Sequence, residues 1–324
     1  MHFAFGRARG TLIFMIALGT TGFVACGSRT ALPFDDTALL ASDASEDVRR
    51  LPDGGIEDSL PPIDAMRRDA HRMDCLDARD TQIYAVTSDT NELLAFYPPQ
   101  GTFKRIGVVS CPASLGAQPF SMAVDRKGVA YVLFENQTGT GDPDGEIFRV
   151  STTTAACVRT AFRPNDRGFQ SFGMGFSTNM GGPAETLFIA RNANSGTPTL
   201  GSIDTTTMRV TNINDFNPPI ASAELTGTGD GRLFAFYARQ TGAPDSFVGE
   251  IDKTTANVIA EDRIAMPQGN GWAFAFWGGD FYLFTGAGGS STITKFDPIT
   301  KATTEVGSYP ALIVGAGVST CAPQ

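Results

Sequence analysis

Histidine is nearly missing from this chain of 324 residues: His2 and His71 are its only two, and both precede residue 80. Everything after that point lacks the one side chain whose ordinary pKa lies near neutrality. Ser-His-Asp hydrolysis, histidine-assisted lyase chemistry and histidine-ligated zinc or copper are therefore excluded from that region. A basic excess is missing too. With 25 Lys+Arg against 34 Asp+Glu the formal net charge is −9, which argues against nucleic acid as a partner, because such binding needs a basic footprint. No glycine-rich phosphate loop opens a helix anywhere, and no helical period is evident beyond residue 26.

What is present is a repeat. An alternation of small and apolar residues recurs at 121–125, 173–177, 222–226, 273–277 and 315–319, in forms such as Ser121-Met-Ala-Val-Asp125 and Gly173-Met-Gly-Phe-Ser177. A bulkier strand follows each of the first four copies, as in Ala130-Tyr-Val-Leu-Phe134 and Leu187-Phe-Ile-Ala190. A polar Gly-rich loop comes next, then a third strand ending in a turn such as Asp204-Thr-Thr-Thr207 or Asp252-Lys-Thr-Thr255. Asp and Thr suit such turns because their side chains bond back to nearby backbone groups. A period of roughly 50 residues built from alternating strands is the signature of a β-propeller, an all-β fold.

The first repeat, from Ile83, lacks an opening strand, whereas 315–319 is an opening strand with nothing after it. Placing the last strand in the first blade closes a five-bladed ring. A sixth blade would need an opening strand hidden near 73–76. Successive strand residues point to opposite faces. The apolar positions (Met122, Val124, Met174, Phe176, Leu225, Phe274, Phe276, Val318) are therefore expected between blades, and the small ones (Ser121, Ala123, Gly173, Gly175, Ser222, Ala275, Gly315, Gly317) facing the axis.

The five cysteines divide into one and four. Cys26 ends an apolar segment from residue 11 to 25 that follows Arg7 and Arg9, the pattern of an export signal too short to span a bilayer comfortably. The ending Phe23-Val-Ala-Cys26-Gly27 resembles the lipobox of bacterial lipoproteins. That resemblance implies cleavage before Cys26 and a lipid on its thiol, and Gly27 implies the outer membrane of a Gram-negative cell. Plain secretion and a retained anchor are the alternatives. Residues 26–80 are acidic, punctuated by Pro and Gly and poor in aromatics. Such a stretch buries too little apolar surface to order itself and reads as a tether, with the propeller occupying 81–324.

In an oxidising compartment the even set Cys75, Cys111, Cys157 and Cys321 is expected to pair. Ring closure favours Cys75–Cys321, because Cys321 ends the closing strand and Cys75 enters the blade it joins. Cys111 and Cys157, near the outer strands of consecutive blades, then pair by elimination. Four free thiols is the alternative.

Carboxylate chemistry survives these exclusions. Glu224 stands where the other opening strands carry Ala123, Gly175, Ala275 and Gly317, so by strand parity it points into the channel, and Asp125 lies one layer further along. A lone carboxylate there has a raised pKa or a nearby cation or donor. It is a hydrogen-bonded channel residue, an ion or ligand contact, or the centre of a carboxylate-dependent polysaccharide hydrolase or lyase. A second candidate is the rim carrying the loops 135–146, 191–200, 238–247 and 285–293. Arg191 and Arg239 at matching points of adjacent blades suit an anionic or sugar ligand, and Trp272, Phe172 and Phe120 suit sugar stacking or blade packing. Asn136, Asp142 and Asp144 on a Gly-rich turn offer oxygen ligands for calcium as a cofactor, although the spacing fits no standard loop.

The blade pattern of 81–321 resembles the NHL-repeat and gluconolactonase-like β-propellers. The resemblance covers fold only, because the metal-binding Glu, Asn and Asp of the latter enzymes have no match here. The expectation is an envelope-anchored lipoprotein whose propeller binds or scaffolds a protein or glycan at the loop rim.

Overall fold

The computed structural model describes Cys75 and residues 81–136, 145–180 and 183–324. The leader, Cys26, the tether apart from Cys75, and Asp142 and Asp144 lie outside the described residues. The fold is a five-bladed β-propeller. The first blade contributes β1 (Ile83–Thr87), β2 (Glu92–Tyr97) and β3 (Thr102–Val108). The second holds β4 (Ala117–Val124), β5 (Val129–Asn136), β6 (Glu146–Ser151) and the three-residue β7 (Cys157–Arg159). β8 (Phe172–Thr178), β9 (Glu185–Arg191), β10 (Thr199–Asp204) and β11 (Arg209–Asp215) make the third. The fourth is β12 (Ser222–Gly227), β13 (Leu233–Ala238), β14 (Ser246–Ile251) and β15 (Val258–Ile264). The fifth is β16 (Gly271–Trp277), β17 (Asp280–Ala287), β18 (Ser290–Phe296) and β19 (Thr303–Tyr309). The last strand, β20 (Ile313–Gly317), pairs antiparallel with β1 and completes the first blade as β20-β1-β2-β3. Five sheets leave no room for a sixth blade among the described residues.

The core is divided among the five junctions between blades. Met122, Val124, Val86 and Val314 fill the first, and Met174, Phe176, Tyr131 and Leu133 the second. Leu225, Phe188 and Tyr237 fill the third, Phe274, Phe276, Phe234 and Phe236 the fourth, and Ala316, Val318, Phe96 and Tyr282 the last. Apolar inner-strand positions thus face the preceding blade. The small positions correct the expectation of an axis-facing set: they press against the inner strand of the following blade. A Cβ on Gly173 would lie 2.0 Å from the Ala223 carbonyl oxygen, and one on Gly315 would lie 2.6 Å from the Met122 nitrogen. Glycine is needed there because backbones touch.

The ladders also correct the frame of the fourth blade by two residues. Ala123, Gly175 and Ala275 pair with Tyr131, Phe188 and Tyr282, and the fourth-blade partner of the matching Phe234 is Thr226 rather than Glu224. Glu224 pairs with Phe236, as Gly173 does with Ala190. It therefore shares the layer of Ser121, Gly173 and Gly315, one step nearer the strand starts.

Turns repeat as the composition implies. The Asp204, Asp252 and Asp297 carboxylates each accept the backbone N–H groups two and three residues on. Met208, Ala256 and Lys301 follow with positive φ of 56°, 60° and 62°. Both disulfides form as expected, Cys75–Cys321 and Cys111–Cys157, with Cα–Cα distances of 5.4 and 5.3 Å. Near the closure Trp277 donates its indole N–H to the Thr81 carbonyl at 2.6 Å. Trp277→Phe keeps an aromatic ring and removes that bond. It is expected to cost about 1 kcal/mol, read as a shift of a few degrees in the melting midpoint.

Candidate functional site

At the centre of the ring Glu224 is 3% exposed. Its carboxyl accepts a hydrogen bond from Ser121 Oγ at 2.8 Å, while Ser121 Oγ accepts the Met174 N–H at 3.1 Å. The group thus ties the inner strands of the second and fourth blades past that of the third. Burial pushes the Glu224 carboxyl well above the usual range, opposed by the Ser121 and Met174 donors and reinforced by Glu135. The carboxyl is thus shut off from solvent and held by Ser121.

At the rim where inner strands start, the predicted binding residues are engaged within their own blades. Arg191 donates to the Thr197 carbonyl and to Thr199 Oγ1 at 2.7 and 2.6 Å and lies over Phe169. Arg239 pairs with Glu261 at 2.5 Å, donates to the Pro219 carbonyl and lies over the Tyr237 and Phe247 rings. The two arginines do not occupy matching points: Arg191 corresponds to Tyr237, the same two-residue slip as at Glu224. Phe172 is fully buried, and Phe120 and Trp272 pack partly buried on neighbouring cores. The Asn136 amide donates to the Leu115 carbonyl. Among the described residues no cluster of three His, Cys, Asp or Glu could hold a metal ion.

The site that does assemble lies at the opposite rim, between the second and third blades. It is a cleft of about 960 Å³ lined by Asp125, Arg126, Lys127, Tyr131, Arg149 and Arg159 from one side. Phe176, Glu185, Thr205 and Met208 line it from the other. Asp125 joins it: the carboxylate takes the N–H groups of Lys127 and Val129 at 2.9 and 2.8 Å, and burial raises its pKa. Glu185 accepts the Arg126 N–H at 2.6 Å and the Thr320 hydroxyl at 2.9 Å, and burial raises its pKa as well. Arg126 caps the centre, donating to Thr178, Thr320 and the Cys75 sulfur. Tyr131 sits edge-on to Phe176 at 5.4 Å, and burial keeps its phenol protonated to higher pH. Of these residues the sequence singled out Asp125 alone. Cross-strand register would have found Tyr131 and Arg149, which are direct partners on one face of the second blade.

Fold and cleft together define the class: a disulfide-closed five-bladed β-propeller with a polar groove between two blades. No protein-family profile and no curated protein matches the chain. Solved structures similar to it include a chain of a nidogen/laminin complex, at TM-score 0.45 and 11% identity, covering 75% of this chain and 99% of that one. TolB from Acinetobacter baumannii has TM-score 0.40 and 15% identity, covering 71% of this chain and 53% of its own. A protein of unknown function from Dyadobacter fermentans has TM-score 0.43 and 12% identity, covering 67% and 72%. At these values nothing about ligand or activity passes from them to this chain.

Proposed function

We propose that this chain is an exported binding module, a propeller held to the outer membrane of a Gram-negative cell by a lipid on Cys26, with 26–80 as the spacer. The two disulfides and the lipobox-like Phe23-Val-Ala-Cys26 support export. The observation that carries binding over catalysis is the burial of Glu224, which is 3% exposed and already bonded by Ser121. The partner is a protein or a glycan. Calcium is not needed for this reading, and the acidic net charge of −9 speaks against nucleic acid.

The test has two arms. Labelled palmitate is expected to enter the wild-type chain and not Cys26→Ser; equal labelling would end the anchoring claim. Capture of envelope proteins and of arrayed glycans is expected to be the same for wild type and Glu224→Gln. Release of reducing ends from any polysaccharide that disappears in Glu224→Gln would replace binding by hydrolysis centred on that carboxyl.

A further inference from the structure

We propose that the cleft between the second and third blades binds a short oligosaccharide bearing an acidic group, a carboxylate or sulfate, with Arg149 and Lys127 as the charge contacts and Tyr131 at the floor. The proposal rests on the binding-module reading and gives it a place and a ligand class.

The cleft lies where the turn of the third blade carries a short side chain. Every blade carries an aromatic at one position of its second strand: Tyr84, Tyr131, Phe188, Phe234 and Tyr282. Tyr131 meets Phe176 of the following blade edge-on, and three of the others are also covered from the following blade. Lys253 lies over Phe188 at 5.7 Å and bonds Ser177 Oγ and the Thr178 carbonyl, sealing the junction of the third and fourth blades. Phe281 packs on Phe234 at 4.8 Å, and Phe96 meets Tyr282 at 5.9 Å. At the second-to-third junction the residue equivalent to Lys253, first in the turn after Asp204, is Thr205. Its hydroxyl bonds the Tyr131 phenol, and the two side chains line the cleft together, with Tyr131 5% exposed at the floor. The second blade's outer strand, β7, has only three residues.

The lining selects a ligand by charge. Asp125 and Glu185 are half-buried and spent on backbone N–H groups and the Thr320 hydroxyl. Arg159 pairs with Glu146. Arg149 is exposed, and among the described residues neither it nor Lys127 makes an ion pair. A chain of net charge −9 thus presents two exposed cations in this cleft, near Asp125 but in no ion pair. The exposed Arg149 guanidinium, which bonds the Tyr131 hydroxyl and stands beside those of Thr160, Thr205 and Thr206, matches an acid group on a polyhydroxylated ring. The remaining carboxylate oxygens accept sugar hydroxyls but repel a run of acidic side chains, which favours an acidic glycan over an acidic peptide. A volume near 960 Å³ suits a ligand of a few rings.

The experiment is calorimetric titration of the full chain in detergent with a uronate tetrasaccharide, a sulfated disaccharide, a neutral tetrasaccharide and a tetraglutamate peptide. Binding of one of the two acidic sugars is expected, at least tenfold tighter than of the neutral sugar or the peptide and weakening with salt. Arg149→Gln is expected to weaken it tenfold or more. Thr205→Lys, which copies the seal at the next junction, is expected to abolish it with the melting midpoint unchanged. Lys253→Ala, at the neighbouring junction, leaves it intact. No binding of either acidic sugar, tightest binding of the peptide, or binding indifferent to Arg149→Gln and Thr205→Lys would each overturn the proposal. If the chain then still captures an envelope protein or another glycan, the binding-module reading stands without the cleft; if it captures nothing, both fall.

Discussion

Deleting residues 310–324 is expected to abolish the cooperative unfolding transition altogether. The segment carries β20, the inner strand of the first blade, and its loss leaves β1 as an unpaired edge at the centre of the ring. Two cores are cut at once: Val314 leaves the junction of the first and second blades, and Ile313, Ala316 and Val318 leave that of the fifth and first. The gentler variant, Cys321→Ser, keeps the strand but frees it. Cys75–Cys321 closes a loop of 246 residues, against 46 for Cys111–Cys157. On the loop-entropy relation the first is worth roughly 5 kcal/mol and the second about 4 kcal/mol. Cys321→Ser is therefore expected to lower the midpoint by about 10–20 °C and Cys111→Ser by somewhat less. Calorimetry with near-UV circular dichroism reads all three. A truncated chain that still melts in one sharp transition near the wild-type midpoint would show that the ring does not depend on its closing strand.

The closure was readable because strand period, repeat length and two unmatched ends all point the same way. An incomplete first repeat and an orphan strand after residue 313 have one economical solution, and the cysteines at 75 and 321 mark it. The frame of the fourth blade was not readable, for a physical reason. A strand has a period of two, so sliding 222–226 by two residues keeps every side chain on the same face and leaves the alternation intact. Only the pairing of Glu224 with Phe236 distinguishes the frames. The partners of the rim arginines were not legible, because a guanidinium's contacts appear only once the strands are placed. Glu261, the ion-pair partner of Arg239, comes from the outermost strand of the same blade. The cleft was not legible because nothing in the strand pattern marks it: Thr205 is an ordinary turn residue where Lys253 stands one blade later.

Glu224→Gln is expected to make the protein more stable at pH 8 while changing little at pH 4. The carboxyl has a model-compound pKa of 4.5, and burial raises it well above that in the fold. Below the unfolded value it is neutral in both states, and its contribution is fully present. As pH rises past that value the unfolded chain gives up the proton while the native state keeps it. Stability then falls by about 1.4 kcal/mol for each pH unit until the folded pKa is passed, where the loss levels off. Glutamine has nearly the same shape, can accept the Ser121 hydroxyl as the acid does, and cannot ionise, so its curve lacks that slope. Asp125 and Glu185, also raised, and Asp252, lowered to about 2, affect both proteins alike and cancel in the difference. Glu224→Ala separates packing from charge: it leaves a void at a side chain that is 3% exposed and is expected to destabilise at every pH. Urea unfolding of the three proteins between pH 4 and 8 gives the comparison. Parallel wild-type and Glu224→Gln curves would mean that the carboxyl is not held neutral, and would restore Glu224 as a charged group at the axis with work to do there. Divergence in the stated direction makes it a plug, retained because a longer, bonded side chain fills a centre that glycine and alanine alone would leave open.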